Sequence, residues 1–150
     1  MRIAIAADHA GVDLRDQIAH DLRLKGYDVD DLSPENDPDD DYPLIVEPLA
    51  RAIAGGRYER GIFCCGSGIG PAVAANKIAG VRAAVVENEW SARDAAEHVD
   101  VNLLTLGERV IGTELAKSVV DAYLGAHVQG GRHARRREQI TDLEKGRVLT

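Results

Sequence analysis

The chain opens with short apolar runs alternating with helical stripes. Residues 2–7 form an apolar, β-branched run, and residues 11–25 follow with apolar side chains four apart, which predicts a strand and then a helix. Residues 27–32 alternate acidic and apolar positions, which predicts a strand at or near the edge of a sheet. After an acidic, proline-containing loop at residues 33–41, a second helical stripe covers residues 45–53. The first third of the chain therefore predicts strand, helix, strand, helix.

The same alternation repeats three more times. Three continuously apolar runs predict strands covered by helices on both faces, at residues 61–65, 82–86 and 102–106. Helical patterns follow them at residues 69–77, 91–97 and 114–124. Five strand–helix units with short connections predict an α/β fold with a doubly wound, five-stranded parallel sheet. Ligands bind such sheets beyond the carboxyl ends of the strands, which here are residues 7–11, 65–70, 86–89 and 106–109.

Length and composition fit one domain over residues 1–150, because 45% of the residues are hydrophobic and no low-complexity tract is present. Residues 128–150 differ from the rest. They carry six basic and three acidic side chains in a chain whose net charge is −7. The predicted helix at residues 132–145 has little apolar face, so we expect this basic C-terminal extension to contact a partner subunit.

Charge and hydropathy exclude two classes of function. A net charge of −7 argues against nonspecific nucleic-acid binding, which needs a basic face to replace phosphate counterions. The apolar runs are too short for a membrane span, and the start of the chain lacks the pattern of a secretory signal. We expect a cytoplasmic protein with no nucleic-acid or membrane partner.

A glycine-rich segment follows the third strand and opens a helix; it reads Cys65-Gly66-Ser67-Gly68-Ile69-Gly70. Its backbone N–H groups predict a cradle for an anion, although it matches neither the dinucleotide fingerprint nor the Walker pattern. A thiol beside a helix N-terminus is stabilised as the thiolate, so Cys65 is a candidate base or nucleophile. Adjacent strand residues face opposite ways, so Cys64 is expected to be a buried small hydrophobe. The alternative is a tight turn with two structural cysteines.

The acidic loop begins like a calcium-binding EF-hand, with Asp37, Asp39 and Asp41 at alternate positions. It then departs from that pattern, because Tyr42 occupies the glycine position and Pro48 the position of the final glutamate. No Cys/His set has zinc spacing. We predict no metal site.

Histidines and arginines supply further candidate chemistry. Asp8 and His9 follow the first strand, and His98 stands between the fourth helix and the fifth strand; we expect them to converge with Cys65. In the tail, Arg132 and Arg136 are four residues apart, so on a helix they share a face and could clamp a phosphate. The alternative is that the tail arginines form a solvated helix face.

In combination these residues resemble the ribose-5-phosphate isomerase B family, which includes the galactose-6-phosphate isomerase subunits. The similarity runs from about residue 2 to residue 145. Besides the glycine loop it rests on Asp8-His9-Ala10-Gly11, Asp41-Tyr42-Pro43, Ala74-Ala75-Asn76-Lys77, His98 with Asp100 and Asn102, Gly107-Glu108-Arg109 and Gly130-Gly131-Arg132-His133. The resemblance implies a Rossmann-like, three-layer α/β/α homodimer or dimer of dimers. It also implies interconversion of aldose and ketose phosphates without metal or organic cofactor.

The resemblance also implies roles for individual residues. Cys65 would be the base that moves a proton from C2 to C1 through a cis-enediolate, while Ser67 and the amides of residues 66–70 hold the oxyanion. His98 would open the sugar ring, with Asp8 nearby. The implied substrate-binding residues, some of them from the partner subunit, are His9, Tyr42, Gly66, Gly68, Ile69, Gly70, Arg109, Arg132 and Arg136. Family members that lack this cysteine use a glutamate at the place where this chain has Pro71, which leaves Cys65 as the base.

One position departs from the family pattern, because Val99 replaces the asparagine that usually follows the histidine. This substitution leaves the identity of the sugar undecided. Ribose 5-phosphate and ribulose 5-phosphate are the expected substrates, with allose 6-phosphate, galactose 6-phosphate and erythrulose 4-phosphate as alternatives. A non-catalytic sugar-phosphate-binding protein and a thiol redox module built on Cys64 and Cys65 are the rival hypotheses.

Overall fold

The computed structural model describes all 150 residues and confirms the predicted order of elements. The strands are β1 (Arg2–Ala7), β2 (Asp28–Asp31), β3 (Arg60–Cys65), β4 (Ala83–Val85) and β5 (Leu103–Gly107). The helices are α1 (Val12–Leu24), α2 (Tyr42–Ala54), α3 (Ile69–Ala75), α4 (Glu89–Asp94), α5 (Thr113–Gly125) and α6 (Arg132–Glu144). The helix α4 continues into a single π-helical turn at Ala95–Val99. None of the helices combines the length and apolar character that a membrane span requires.

All five strands are parallel and lie in the order β2-β1-β3-β5-β4. Ala7 pairs with Cys64, and Cys65 pairs with Gly107, so β1, β3 and β5 end at one level. The chain winds outward in opposite directions from β1 and β3. The carboxyl ends of these two strands therefore form the topological switch point, where ligands of doubly wound sheets bind.

Helices cover both faces of the sheet, as the predicted three-layer architecture requires. Alternate strand residues enter separate cores: Cys64 lies in the core under α1 and α5, and Cys65 in the core under α2 and α3. Both thiols are free. The period-two geometry of a strand thus gives the two adjacent cysteines different surroundings, as predicted.

The two edge strands differ in how well the sequence predicts them. The polar strand β2 lies at an edge, as its acidic alternation indicates. The apolar strand β4 was expected to be covered on both faces but forms the opposite edge, and all three of its residues are only half-buried. A groove of about 750 Å³, lined in part by Trp90 and Ile140, opens beside it. Its apolar sequence reflects this groove rather than a central place in the sheet.

Two glycines allow the loop after β1 to touch the end of β3, and the end of β5 to touch the loop after β3. A Cβ atom on Gly11 would lie 2.2 Å from the carbonyl carbon of Cys64, and one on Gly107 would lie 2.7 Å from the carbonyl carbon of Ser67. Both contacts are with backbone, so no side-chain rotation could relieve them. The three loops therefore pack as one surface over the switch point.

The Gly11→Ala substitution should separate the loop after β1 from the end of β3. We expect it to lower the free energy of unfolding by about 3 kcal/mol, the upper part of the usual range for overpacking, because the backbone must move. Gly125→Ala is the matched control, since a Cβ atom at this last residue of α5 meets nothing within 4 Å. Urea unfolding of both variants measures the difference, and a Gly11→Ala variant as stable as the control would refute this account of the loops.

Candidate active site

A cleft of about 340 Å³ lies over the carboxyl ends of β1 and β3. It is walled by the three touching loops and the first turn of α2. The predicted site residues that line it are Asp8, His9, Tyr42, Cys65, Gly66, Ser67, Gly70 and Arg109. Residues 86–89, which follow β4, do not line it, because β5 lies between β4 and the switch point.

Cys65 ends β3 at the floor of the cleft and is only 5% exposed. Its Sγ atom accepts a hydrogen bond of 3.0 Å from the backbone N–H of Gly68. Gly68 itself adopts a left-handed φ of 80° and begins α3. This hydrogen bond fixes the position of the sulfur at the floor of the cleft. Burial in the other core raises the pKa of the Cys64 thiol and keeps it protonated.

The glycine loop offers fewer free donors than its sequence suggests. Of its amides, Gly68 donates to Cys65, and Ile69 donates to the Ser67 hydroxyl at 3.2 Å. The amides of Gly66, Ser67 and Gly70 donate to no protein acceptor. Because Ser67 Oγ accepts from Ile69, its O–H remains free to donate. Three amides and one hydroxyl are therefore available to an oxyanion beside the thiol, and Gly68 and Ile69 shape the loop instead.

Tyr42 and Arg109 approach the glycine loop from either side. A Cβ atom on Gly70 would lie 2.6 Å from the Tyr42 hydroxyl, and one on Gly66 would lie 3.2 Å from the Arg109 guanidinium. Tyr42 and Arg109 thus occupy space that a side chain at position 70 or 66 would otherwise fill. Arg109 forms no ion pair, so its positive charge is available in the cleft for an anionic group. The preceding Glu108 accepts a 3.0 Å hydrogen bond from the Leu14 amide and ties this loop to the start of α1.

Asp8 and His9 stand at the end of β1, and both have shifted pKa values. Asp8 is buried and accepts a 2.9 Å hydrogen bond from the Ala10 amide. Burial raises the pKa of Asp8, with the Ala10 hydrogen bond opposing it. The His9 ring lies 2.7 Å from the Asp40 carboxylate, and this bond raises the pKa of His9. The cleft therefore contains a histidine biased toward its cationic form.

Asp40 is a site residue that the sequence analysis missed, because the acidic loop was considered only as a calcium site. The available signal was topological. The strand β2 pairs with β1, so the loop that follows β2 must pass near the residues that follow β1.

Within one chain, His98 does not line the cleft that contains Cys65; it lines a separate, smaller pocket with Trp90 and Asp94. A helix that connects parallel strands returns the chain to the amino edge of the sheet, so the end of α4 lies opposite the cleft. Asp100, two residues on, pairs with Arg60 at the start of β3 and with Arg82 just before β4. A six-residue strand spans roughly 16 Å, so the edges are that far apart.

At this opposite edge, His98 is held on three sides. Its Nδ1 atom is paired with Asp94, its ring stacks on His133 with centroids 3.8 Å apart, and its carbonyl accepts a 3.0 Å hydrogen bond from Arg137. Burial, followed by the positive charges of neighbouring side chains, lowers the pKa of His133. The stacked partner of His98 is thus biased toward its neutral form.

Arg132 and Arg136 lie next to this histidine pair and away from the cleft of their own chain. Both side chains are exposed, and neither forms an ion pair with an acidic residue. Both residues lie in α6, so their four-residue spacing places them on one face of that helix. The predicted site residues thus fall into two groups, one around the cleft and one at the amino edge of the sheet.

The comparisons with known proteins agree in both sequence and fold. The Ribose/Galactose Isomerase family matches residues 3–140. Ribose-5-phosphate isomerase B of Escherichia coli is 44% identical over 97% of this chain and 98% of its own length. D-erythrulose-4-phosphate isomerase of Pectobacterium atrosepticum is 41% identical over 93% of each chain. The solved structure of ribose-5-phosphate isomerase B from Clostridium thermocellum has a TM-score of 0.94 and 45% identity, covering 97% of this chain and 99% of that one.

These relatives cover 93–97% of the chain. The cleft at the switch point contains a thiol, free amides and an unpaired guanidinium. Sequence, fold and site geometry lead to one assignment: the chain belongs to the ribose/galactose isomerase family and is an aldose–ketose isomerase.

Proposed function

We propose that the protein interconverts ribose 5-phosphate and ribulose 5-phosphate through a cis-enediolate, with Cys65 as the base. The observation that carries this proposal is the position of the Cys65 sulfur, which lies in one small cleft with three free amides and the unpaired Arg109. Proton transfer, oxyanion binding and phosphate binding are then available in one place. Two relatives that carry the name ribose-5-phosphate isomerase B support the same substrate.

The reaction moves two protons and leaves the carbon chain intact. The Cys65 thiolate removes the C2 proton of the open-chain aldose, and the electron pair of that bond moves toward C1 and its oxygen. The thiol then returns the proton to C1, while the hydroxyl proton on O2 passes to O1. A positioned base contributes about 10²–10⁴-fold to such a rate. Each donor aimed at the oxyanion contributes on the order of 10²–10³.

The cleft also suits the size and charge of the substrate. Its volume of about 340 Å³ lies at the lower end of the range for small-molecule sites, which fits a short carbohydrate. Arg109 and the cationic form of His9 both line it, and either can donate to a phosphate oxygen.

We further propose that the enzyme acts as a homodimer in which each chain completes the cleft of the other. His98, Arg132 and Arg136 lie too far from Cys65 to serve their own chain, so a second copy would supply them. Exposed apolar side chains beside the cleft favour such an interface; they are Leu44, Ile69 and Val73. The basic C-terminal extension would then contact the partner. Two free thiols suit a cytoplasmic enzyme, where cysteines stay reduced.

Erythrulose 4-phosphate is a second candidate substrate, and two observations favour it. A relative that is 41% identical carries the name D-erythrulose-4-phosphate isomerase. In addition, the residue after His98 is the half-buried, apolar Val99, which offers a sugar hydroxyl no hydrogen bond.

A panel of sugar phosphates tests the substrate. We expect the purified protein to convert ribose 5-phosphate with a higher kcat/KM than erythrulose 4-phosphate, allose 6-phosphate or galactose 6-phosphate. Proton NMR of each mixture in deuterated water measures the conversion directly. Turnover of none of these compounds would refute the proposed function, and preference for the four-carbon sugar would favour the second candidate.

The Cys65→Ala variant tests the base. We expect kcat to fall by about 10²–10⁴-fold, because the variant keeps the oxyanion donors but has no group to move the proton. The KM should change little, since the phosphate-binding side chains remain. Cys64→Ala is the control and should retain activity, because Cys64 is fully buried in the other core. Comparable rates for the two variants would remove Cys65 from its proposed role.

Co-expression of two inactive variants tests the shared cleft. We expect Cys65→Ala and His98→Ala each to be nearly inactive alone. A mixed dimer has one cleft with both defects and one with neither, so random pairing should restore about a quarter of the parent activity. If each cleft used residues of a single chain, every cleft would carry a defect and no activity would return. Two different affinity tags allow the mixed dimer to be purified and assayed by itself.

A further inference from the structure

We propose that Asp40 is a positioning residue for His9, which it holds in the orientation and cationic form that bind the phosphate end of the substrate. The inference deepens the proposed function, because it assigns a role to a residue outside the cleft lining. Asp40 belongs to the acidic loop at residues 33–41.

The geometry is a two-point grip by one carboxylate. Asp40 Oδ1 lies 2.7 Å from the His9 Nδ1 atom, and Asp40 Oδ2 accepts a 3.0 Å hydrogen bond from the His9 backbone N–H. The Asp40 side chain is only 11% exposed, whereas the His9 side chain is 39% exposed. Because both oxygens are engaged, the carboxylate fixes the backbone and the ring together. The Nδ1 atom is then committed to Asp40, which leaves the Nε2 N–H as the free donor of a ring that lines the cleft.

Three other charged groups face His9 from the elements packed around it. Asp8, from the same loop, and Asp40 both favour the cation, while Arg109, from the loop after β5, opposes it. The hydrogen bond to Asp40 is the largest single influence and raises the pKa of His9. The remaining acidic side chains of the loop, Asp37, Asp39 and Asp41, form no bond with His9.

This arrangement matters because phosphate monoesters become dianions above about pH 6. A histidine of ordinary pKa loses its charge near the pH at which the ligand gains its second one. By holding the proton on His9 to higher pH, Asp40 widens the interval in which the imidazolium and the dianion are present together. The expected consequence is tight substrate binding above pH 7.

The test compares two variants of the same loop, Asp40→Asn and Asp39→Asn. Each removes one negative charge, but only the first replaces the carboxylate that contacts His9 with a neutral amide, which keeps one acceptor oxygen and loses the charge that favours the imidazolium. NMR of the ring protons follows the titration of His9 in the free protein, with the signal assigned by its loss in a His9→Gln variant. We expect the His9 midpoint to move to lower pH in Asp40→Asn and to stay unchanged in Asp39→Asn.

Kinetics with ribose 5-phosphate provide the second readout. Relative to the parent enzyme, we expect KM of Asp40→Asn to rise about tenfold at pH 8 and less than twofold at pH 6, with kcat nearly unchanged. A merely structural role for the bond would raise KM equally at both values. Asp40→Glu retains a carboxylate and should recover part of the loss at pH 8, whereas Asp39→Asn should match the parent.

Three results would overturn the proposal. They are an unchanged His9 midpoint in Asp40→Asn, an equal displacement in Asp39→Asn, and a lowered midpoint with KM unaffected at pH 8. If the protein turns over no ribose 5-phosphate, the proposed function fails by itself. The Asp40 inference is then decided by titration of the His9 signal with inorganic phosphate, which should bind the parent more tightly than Asp40→Asn at pH 8.

Discussion

Backbone contact among the ends of β1, β3 and β5 and the loops that follow them is the constraint on which the cleft depends. Gly11 lies against the Cys64 carbonyl and Gly107 against Ser67, both at distances that leave no room for a Cβ atom. Strand pairing places the three loops at one level, but only this contact joins them into one surface. The buried Asp8, the sulfur of Cys65 and the guanidinium of Arg109 then open onto the same space. Their proximity comes from missing side chains as much as from the side chains present.

Hydrophobic periodicity predicted the elements well, because the period of each stripe is a local property of the chain. It placed the two cysteines in different surroundings and β2 at an edge for the same reason. Strand order is not local, so the sequence could not show that β5 lies between β3 and β4. The exposure of β4 and the absence of residues 86–89 from the cleft both follow from that order.

The location of His98 could have been predicted from connectivity alone. A helix between parallel strands carries the chain back to the amino edge, so a residue at its end cannot approach the carboxyl ends of the same sheet. Asp40 was harder to find, since only the pairing of β2 with β1 brings its loop beside His9. The motif resemblance named the residues of the site but not the chain that each one serves. A motif identifies the residues of a site, but the fold determines which of them lie close together in one chain.

The way in which the C-terminal extension is attached has a consequence for the neighbouring subunit. Helix α6 buries no side chain of its own, yet Arg137 donates to the carbonyls of His98 and Gln129 and fastens the helix to the turn that carries the histidine. The His98 imidazole and the arginines of α6 are therefore held together as one rigid unit. On the proposed two-chain arrangement, a subunit cut before residue 137 would keep an intact cleft and disable its neighbour's. In a dimer with one cut chain, the undamaged subunit would then be the inactive one, while the cut subunit, completed by its intact neighbour, would keep working.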